Sequence, residues 1–330
     1  MKRRTCTRLA TIVATAGLLA SPVYGQATAE SWPNRPIRLV VAFAPGGFVD
    51  QTARVLASRL SETWGQQVVV DNRAGAAGNI GTELVVRAQP DGYTLLAAFD
   101  SNIVINPTLY AGRLNFDPAR DLVAITKVTQ VANAIASHPG YAPRNCAELM
   151  TDLRQRNVPL NYASPGVGTT GHLAAELVSQ IAGVPLTAIP YKGGGQAVMD
   201  VMAGQVPVIF TSLPTVRQQA AQGKLRLLAV TSARRVRDLD DIPTLQECGL
   251  PGIDVFSWVG VMAPAGLSDA LVGKIAADVR RAMSAPIAIE LVRKMGADLV
   301  LNEPEVFRRQ IGDETAGWAS VIRANQIKPD

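Results

Sequence analysis

Three places in this 330-residue chain set glycine, hydroxyl or small polar side chains where an apolar run gives way to a helical pattern. The first is Ala44-Pro45-Gly46-Gly47-Phe48-Val49-Asp50. The second runs from Ser164 through Pro165, Gly166, Val167 and Gly168 to Thr169 and Thr170. The third is Asp100-Ser101-Asn102. Glycine at such a corner lets backbone approach a ligand closely. The helix that follows offers N–H groups without intrahelical acceptors and the positive end of its dipole. The chemistry this suits is anion binding. Two such corners facing each other across a cleft would hold a carboxylate by amide hydrogen bonds. Asp50, beside a helix start, reads as a carboxylate that steadies the dipole and local backbone rather than as a catalytic group. Tyr191-Lys192-Gly193-Gly194-Gly195 has the makings of an anion contact, but reads as a surface loop.

Catalytic motifs are missing at the spacings they require. Gly75, Gly78 and Gly81 are spaced wrongly for a dinucleotide fingerprint, and Gly223-Lys224 is followed by Leu225 rather than Ser or Thr. No GxSxG elbow occurs. The two histidines, His138 and His172, lie far apart, with no CxxC or HExxH, so neither a metal site nor a cofactor is expected.

The elements that would position these corners can be read from apolar spacing. Ile37–Ala44 is nearly continuous apolar sequence, as in a strand buried on both faces. A helix is expected from about Asp50, with Val49, Ala53, Leu56, Leu60 and Trp64 on one face. A strand at Val68–Val70 follows, then a helix with Ile80, Leu84, Val85 and Ala88 inward, and a strand from Tyr93 to Phe99. The alternation restarts after about residue 127, with strands at Leu160–Ala163, Leu186–Ile189, Val206–Phe210, Leu225–Val230 and Val255–Ala263. Thr169 or Thr170 is placed to cap a helix whose inner face is Leu173, Leu177, Val178 and Ile181. The C-terminal stretch reads as helices over Ser268–Met283, Ile287–Met295 and from Pro304 to about Arg323. Strands alternating with helices imply an α/β fold with open sheets.

Lys2, Arg3, Arg4 and Arg8 precede an uncharged apolar stretch from Leu9 to Ala20, and small residues Gly25, Ala27 and Ala29 follow. That is the layout of a secretory signal peptide over residues 1–27, too short to span a bilayer. Removing it leaves about 300 residues, enough for two domains. The net charge is +5, and the four basic residues of the leader supply most of it. What remains has no basic stripe for nucleic acid. Arg234, Arg235 and Arg237 read as a solvated loop. Cys146 and Cys248 lie far apart in the chain, and disulfide geometry is strict. An oxidising compartment permits a bridge, but separate thiols are the expectation.

These same residues carry a resemblance. The chain resembles the solute receptors of tripartite tricarboxylate transporters, the Bug family, over nearly its whole length after the leader. The similarity runs through Trp32-Pro33, the PGG..D..AR pattern at Pro45–Arg54, DNRAGAAGNIG at Asp71–Gly81 and PDGYTLL at Pro90–Leu96. It continues through SPGVGT..HL at Ser164–Leu173, PYKGG at Pro190–Gly194, GKLRLLAVTS at Gly223–Ser232 and PTLQECGLPG at Pro243–Gly252. The last match is W.G..APAG at Trp258–Gly266. The resemblance implies a type II periplasmic binding protein: two α/β lobes with open, mainly parallel sheets and a ligand cleft between them. By analogy the chain crosses near residues 127 and 255. Residues 28–126 with 256–330 would form one lobe and 127–255 the other. It further implies a monomeric periplasmic receptor, not an enzyme, that passes a small carboxylate to the membrane permease subunits of a tripartite transporter. An extracytoplasmic sensor module would share this sequence, whereas a secreted hydrolase would need a nucleophile–base pair that is not visible.

The family's ligand loops fall on Pro45, Gly46, Gly47, Phe48, Val49 and Asp50, and on Ser164, Gly168, Thr169 and Thr170. Contributions are implied near Ser101 and Asn102 and at Thr211. Four positions depart from the family's habit: Phe48 and Val49 stand where small residues or proline and then threonine are common. Thr170 replaces a frequent proline, and Thr211 stands where an aspartate is frequent. The first change adds apolar surface, and the last removes a partner for a ligand ammonium group. The expected ligand is therefore a monoanionic carboxylate with an apolar or aromatic body.

Overall fold

The computed structural model describes residues 32–324 and 326–329; the expected signal peptide over 1–27 lies outside them. Elements are numbered in chain order. The first set is β1 (Ile37–Val41), α1 (Phe48–Trp64), β2 (Val68–Asn72), α2 (Asn79–Val86), β3 (Thr94–Phe99), α3 (Asn106–Leu109) and α4 (Pro118–Asp121). Next come β4 (Leu122–Ser137), α5 (Cys146–Gln155), β5 (Leu160–Ser164), α6 (Thr170–Ala182), β6 (Leu186–Pro190), α7 (Gly194–Met202), β7 (Val208–Ser212), α8 (Leu213–Ala221) and β8 (Arg226–Val230). The chain closes with β9 (Phe256–Pro264), α9 (Asp269–Met283), α10 (Pro286–Met295), β10 (Asp298–Leu299) and α11 (Pro304–Ala324).

The strands follow the order β2-β1-β3-β9-β4-β7-β5-β6, with β10 and β8 also pairing β4. The expected α/β class holds. β1 runs parallel to β2 and β3, and β5 parallel to β6 and β7, so each βα unit delivers its next helix from the same sheet edge. β4 and β9 link the two parallel groups and run antiparallel to each other. The 16-residue β4 changes partners along its length. Leu122–Ala132 pairs with β9, and Asn133–Ser137 pairs with β7 and β8.

The continuous apolar run at β1 is buried because strands flank it on both sides and helices cover both faces. α1 begins at Phe48, two residues before the expected start. Gly47 is extended at the N-cap, and the helix ends where Gly65 turns left-handed at φ 63° and donates to the Ser61 carbonyl. Its buried stripe of Val49, Ala53, Leu56 and Leu60 is the expected one.

Several expectations need correction. Ile80 and Ile181, expected on inner faces, are 54% and 41% exposed. In α2 the cause is close packing: a Cβ on Gly81 would sit 2.7 Å from the Ala42 Cα. The face that meets β1 is therefore small, and Ile80 is turned outward. α5 and the helical turns after Asp100 had no counterpart in the sequence reading, and β4 begins before the point where the alternation seemed to restart. Cys146 and Cys248 form a disulfide with Cα atoms 6.1 Å apart, contrary to the expectation of separate thiols. The segment after β8 folds back on it: Leu245 N–H donates to the Val230 carbonyl and Cys248 N–H to Thr244. That brings Cys248 onto the apolar cluster holding Cys146, Leu149 and Leu250.

Candidate functional site

Each wall of the cleft is a strand end followed by a helix start. β1 leads through the Pro45-Gly46-Gly47 turn into α1. β5 leads through Ser164–Gly168 into α6, where the Thr169 hydroxyl accepts from His172 N–H at 3.3 Å and caps the helix. β6 leads through Tyr191–Gly193 into α7, and β7 runs directly into α8 with Ser212 at the N-cap.

These four helix starts line one small chamber of about 20 Å³. α1 contributes Gly47, Phe48 and Val49; α6 contributes Thr169, Thr170 and Gly171; α7 contributes Gly194. Thr211, Ser212 and Thr215 come from the β7–α8 junction, and Phe43, Phe99, Asn133 and Pro165 complete the wall. Among the described residues no charged side chain lines the chamber. The field inside is set by first-turn N–H groups and by four dipoles, each equivalent to roughly half a positive charge at its N-terminus.

The floor is a neutral hydrogen-bond network. Ser212 Oγ donates to Ser257 Oγ at 3.1 Å, and Ser257 Oγ donates to Asn133 Oδ1 at 3.0 Å. Thr170 also pairs with Ser257 through their hydroxyls. With the Ser257 proton given to Asn133, both Thr170 and Ser212 must donate to Ser257. Asn133 Oδ1 is thus occupied, while its buried Nδ2 finds no protein acceptor. The donor this leaves over at the floor is Asn133 Nδ2, which suits an acceptor-only group such as a carboxylate.

The two parallel strand groups meet directly above this chamber. Ala44 N–H donates to the Lys192 carbonyl at 3.2 Å, and Gly46 and Gly47 pack against Gly194 and Gly195. The Tyr191–Gly195 segment, read from sequence as a surface loop, has Gly193 and Gly194 buried in this contact. Glycine is required there: a Cβ on Gly195 would lie 2.5 Å from the Pro45 carbonyl oxygen.

The residues singled out from sequence divide into two groups. Gly47, Phe48, Val49, Thr169, Thr170 and Thr211 line the chamber. Pro45 and Gly46 form the contact above it. Asp50, although buried, is committed to holding the loop. Its carboxylate accepts from Gly46 N–H at 3.0 Å, Arg54 Nε at 2.9 Å and Asn72 Nδ2 at 3.0 Å. Burial opposes its ionisation, but these hydrogen bonds outweigh burial and hold the carboxyl below its ordinary pKa. Ser164 Oγ donates to the Gly166 carbonyl behind the wall. Gly168, at φ 77°, packs against Leu109. Asn102 Oδ1 accepts from Phe99 N–H, and Ser101 is buried beside it. Asp100 accepts from Trp258 N–H at 2.8 Å, tying the end of β3 to β9. Burial pushes its carboxyl well above the usual range.

Asn133, Ser212, Thr215 and Ser257 have no place in the sequence-based site, and Gly194 enters it only as part of a loop weighed as an anion contact. A lone Asn within the apolar run Val131–Ala136 was a usable signal for the first, and the strand-to-helix rule extends to Ser212. Among the described residues no group of three or more His, Cys, Asp or Glu could hold a metal ion.

The sequence profile described as the tripartite tricarboxylate transporter family receptor, TctC, matches residues 52–327. Protein BugT of Bordetella pertussis is 34% identical over 316 residues, covering 96% of this chain and 95% of that protein. R. palustris Rpa4515, solved with adipate, superposes with a TM-score of 0.87 at 34% identity, over 91% of this chain and 100% of its own. The periplasmic binding protein BugD superposes with a TM-score of 0.86 at 33% identity, over 91% and 100%.

Proposed function

The chain belongs to the tripartite tricarboxylate transporter receptor family, whose members are solute-binding receptors and not enzymes, and from that premise we propose that it captures a small organic carboxylate in the periplasm and hands it to a membrane permease. The observation that carries this reading is the convergence of four helix N-termini on a chamber without a charged side chain. An anion at a partly buried helix N-terminus gains up to ~2 kcal/mol, so several such ends favour one carboxylate strongly. The absence of lining Arg and Lys argues against a head group of multiple charge.

Two lobes do the capturing, residues 28–126 with 256–330 as one and 127–255 as the other. The return of the chain at β9 supports the second boundary, and the exchange of partners along β4, between Ala132 and Asn133, supports a first crossing within that strand. α1 belongs to the first lobe, and α6, α7 and α8 to the second, so a carboxylate held by all four draws the lobes together. The Ala44–Lys192 hydrogen bond and the Gly46–Gly195 contact then close the cleft over it. A chamber of about 20 Å³ is little larger than one water, so the lobes part to admit the ligand. Closure marks the loaded receptor for the permease. The related Rpa4515, solved with adipate, supports the choice of a carboxylate.

Thermal unfolding of the purified receptor against a panel of organic acids tests the reading. A ligand at a hundredfold excess over Kd should stabilise the fold by about 2.7 kcal/mol. A flat response across mono-, di- and tricarboxylates would contradict it.

A further inference from the structure

The cleft holds a second chamber of about 220 Å³ at its mouth. It lies between the Gly75–Gly78 turn and Tyr110 on one side, and Val167 and Tyr191 on the other. Phe43 and Pro165 line both this chamber and the inner one, so together they form the partition between them. The inner wall contributed by β1, α1 and β3 is a ladder of three aromatic rings. Phe43 meets Phe99 edge-on with centroids 5.3 Å apart, and Phe99 meets Phe48 at 6.5 Å. Among the described residues neither chamber is lined by a carboxylate side chain, and the only charged lining residue is the exposed Lys192.

We propose that the ligand is a carboxylate with an extended apolar or aryl body and no ammonium group, bound head-in, with its body passing Phe43 and Pro165 into the outer chamber. This rests on the receptor reading above and names the ligand class for that site. The inner chamber is too small for more than the head group, so atoms beyond the carboxylate must leave it. The exit passes an aromatic edge and a proline, which favour apolar surface over hydroxyl or charge. A ligand ammonium would find no carboxylate on either wall, and a buried unpaired cation is costly. The outer chamber offers room for a ring or a chain of several methylenes.

The test is a calorimetric comparison of propionate, hexanoate, phenylacetate and 6-aminohexanoate on the wild-type receptor and on Val167→Trp, which fills the outer chamber. Hexanoate and phenylacetate should bind at least tenfold more tightly than propionate, and 6-aminohexanoate at least tenfold more weakly than hexanoate. In Val167→Trp the ratio of hexanoate to propionate affinity should fall at least tenfold. The wild-type series decides the matter alone if that variant does not fold. Equal affinity for propionate and hexanoate, or binding of 6-aminohexanoate as tight as hexanoate, would overturn the proposal while leaving the receptor reading intact. If no carboxylate binds at all, the receptor reading fails and this proposal fails with it.

Discussion

Replacing Gly195 by alanine separates the role of the glycine contact in closure from any role in folding. The new Cβ would lie 2.5 Å from the Pro45 carbonyl oxygen and 3.5 Å from the Gly46 Cα. Relief needs a displacement of about 0.9 Å, and overpacking of this kind typically costs about 1–3 kcal/mol. Gly195 lies in the first turn of α7, where alanine is the better helix former by roughly 0.5–1 kcal/mol. The two effects act on different states if Pro45 and Gly195 sit on lobes that move apart. The clash then falls on the closed form alone, and the helix gain applies to both. The ligand-free variant should unfold at the same temperature as wild type or slightly higher. Its Kd for the best carboxylate should rise about 5- to 150-fold, the equivalent of 1–3 kcal/mol. Calorimetric titration paired with thermal unfolding reads both numbers from one preparation. Gly171→Ala is the contrast. Its Cβ would meet the Phe210 carbonyl oxygen at 2.5 Å within the β7–α6 packing, so it should lower the unfolding temperature. A Gly195→Ala protein that loses several degrees of stability yet binds with unchanged affinity would refute the reasoning, because the contact would then belong to a single rigid body.

Asn133→Asp replaces the spare amide donor at the floor with a carboxylate acceptor. A like charge about 4 Å from the ligand carboxylate costs about 4 kcal/mol at an effective dielectric of 20, so titration at neutral pH should show roughly a thousandfold loss of affinity with the circular dichroism spectrum retained. Asp50→Asn should lower stability by about 1–2 kcal/mol, discounted because Arg54 is largely exposed. The Asp50 pKa is depressed in the fold, so its stabilisation is complete above the ordinary value of 3.8 and is lost as pH falls through the lower folded value. The gap between wild type and variant in denaturant titrations should therefore close only in strong acid. Replacing Cys146 and Cys248 together by serine should cost about 2–5 kcal/mol, and the unfolded wild-type protein should react with a thiol reagent at these positions only after reduction.

What could be read from sequence was what neighbouring residues determine. The β1 run and the α1 stripe are local patterns, and they hold because a strand between two strands and a helix on a sheet each bury a defined face. The Pro45–Val49 and Ser164–Thr170 corners were legible because glycine and a capping hydroxyl before a helix have few other uses. β4 was hidden by its mixed Thr, Lys and Gln content, since it serves two groups of partners and keeps no single period. Ile80 was misassigned because helix phase depends on how closely Gly81 lets α2 approach β1, a distance absent from the pattern. Asn133, Ser212 and Ser257 meet only through long-range pairing of β4, β7 and β9, so their convergence could not be seen along the chain. The Cys146–Cys248 bridge was hidden for the same reason, since it depends on the fold-back after β8.

A crystal structure of the receptor with the tightest-binding acid tests the central claim most directly. The account predicts one carboxylate in the inner chamber, its oxygens about 2.7–3.1 Å from first-turn N–H groups of both α1 and α6 and in reach of Asn133 Nδ2. A ligand whose carboxylate pairs instead with Lys192 at the cleft mouth, or which lies outside the cleft altogether, would contradict it.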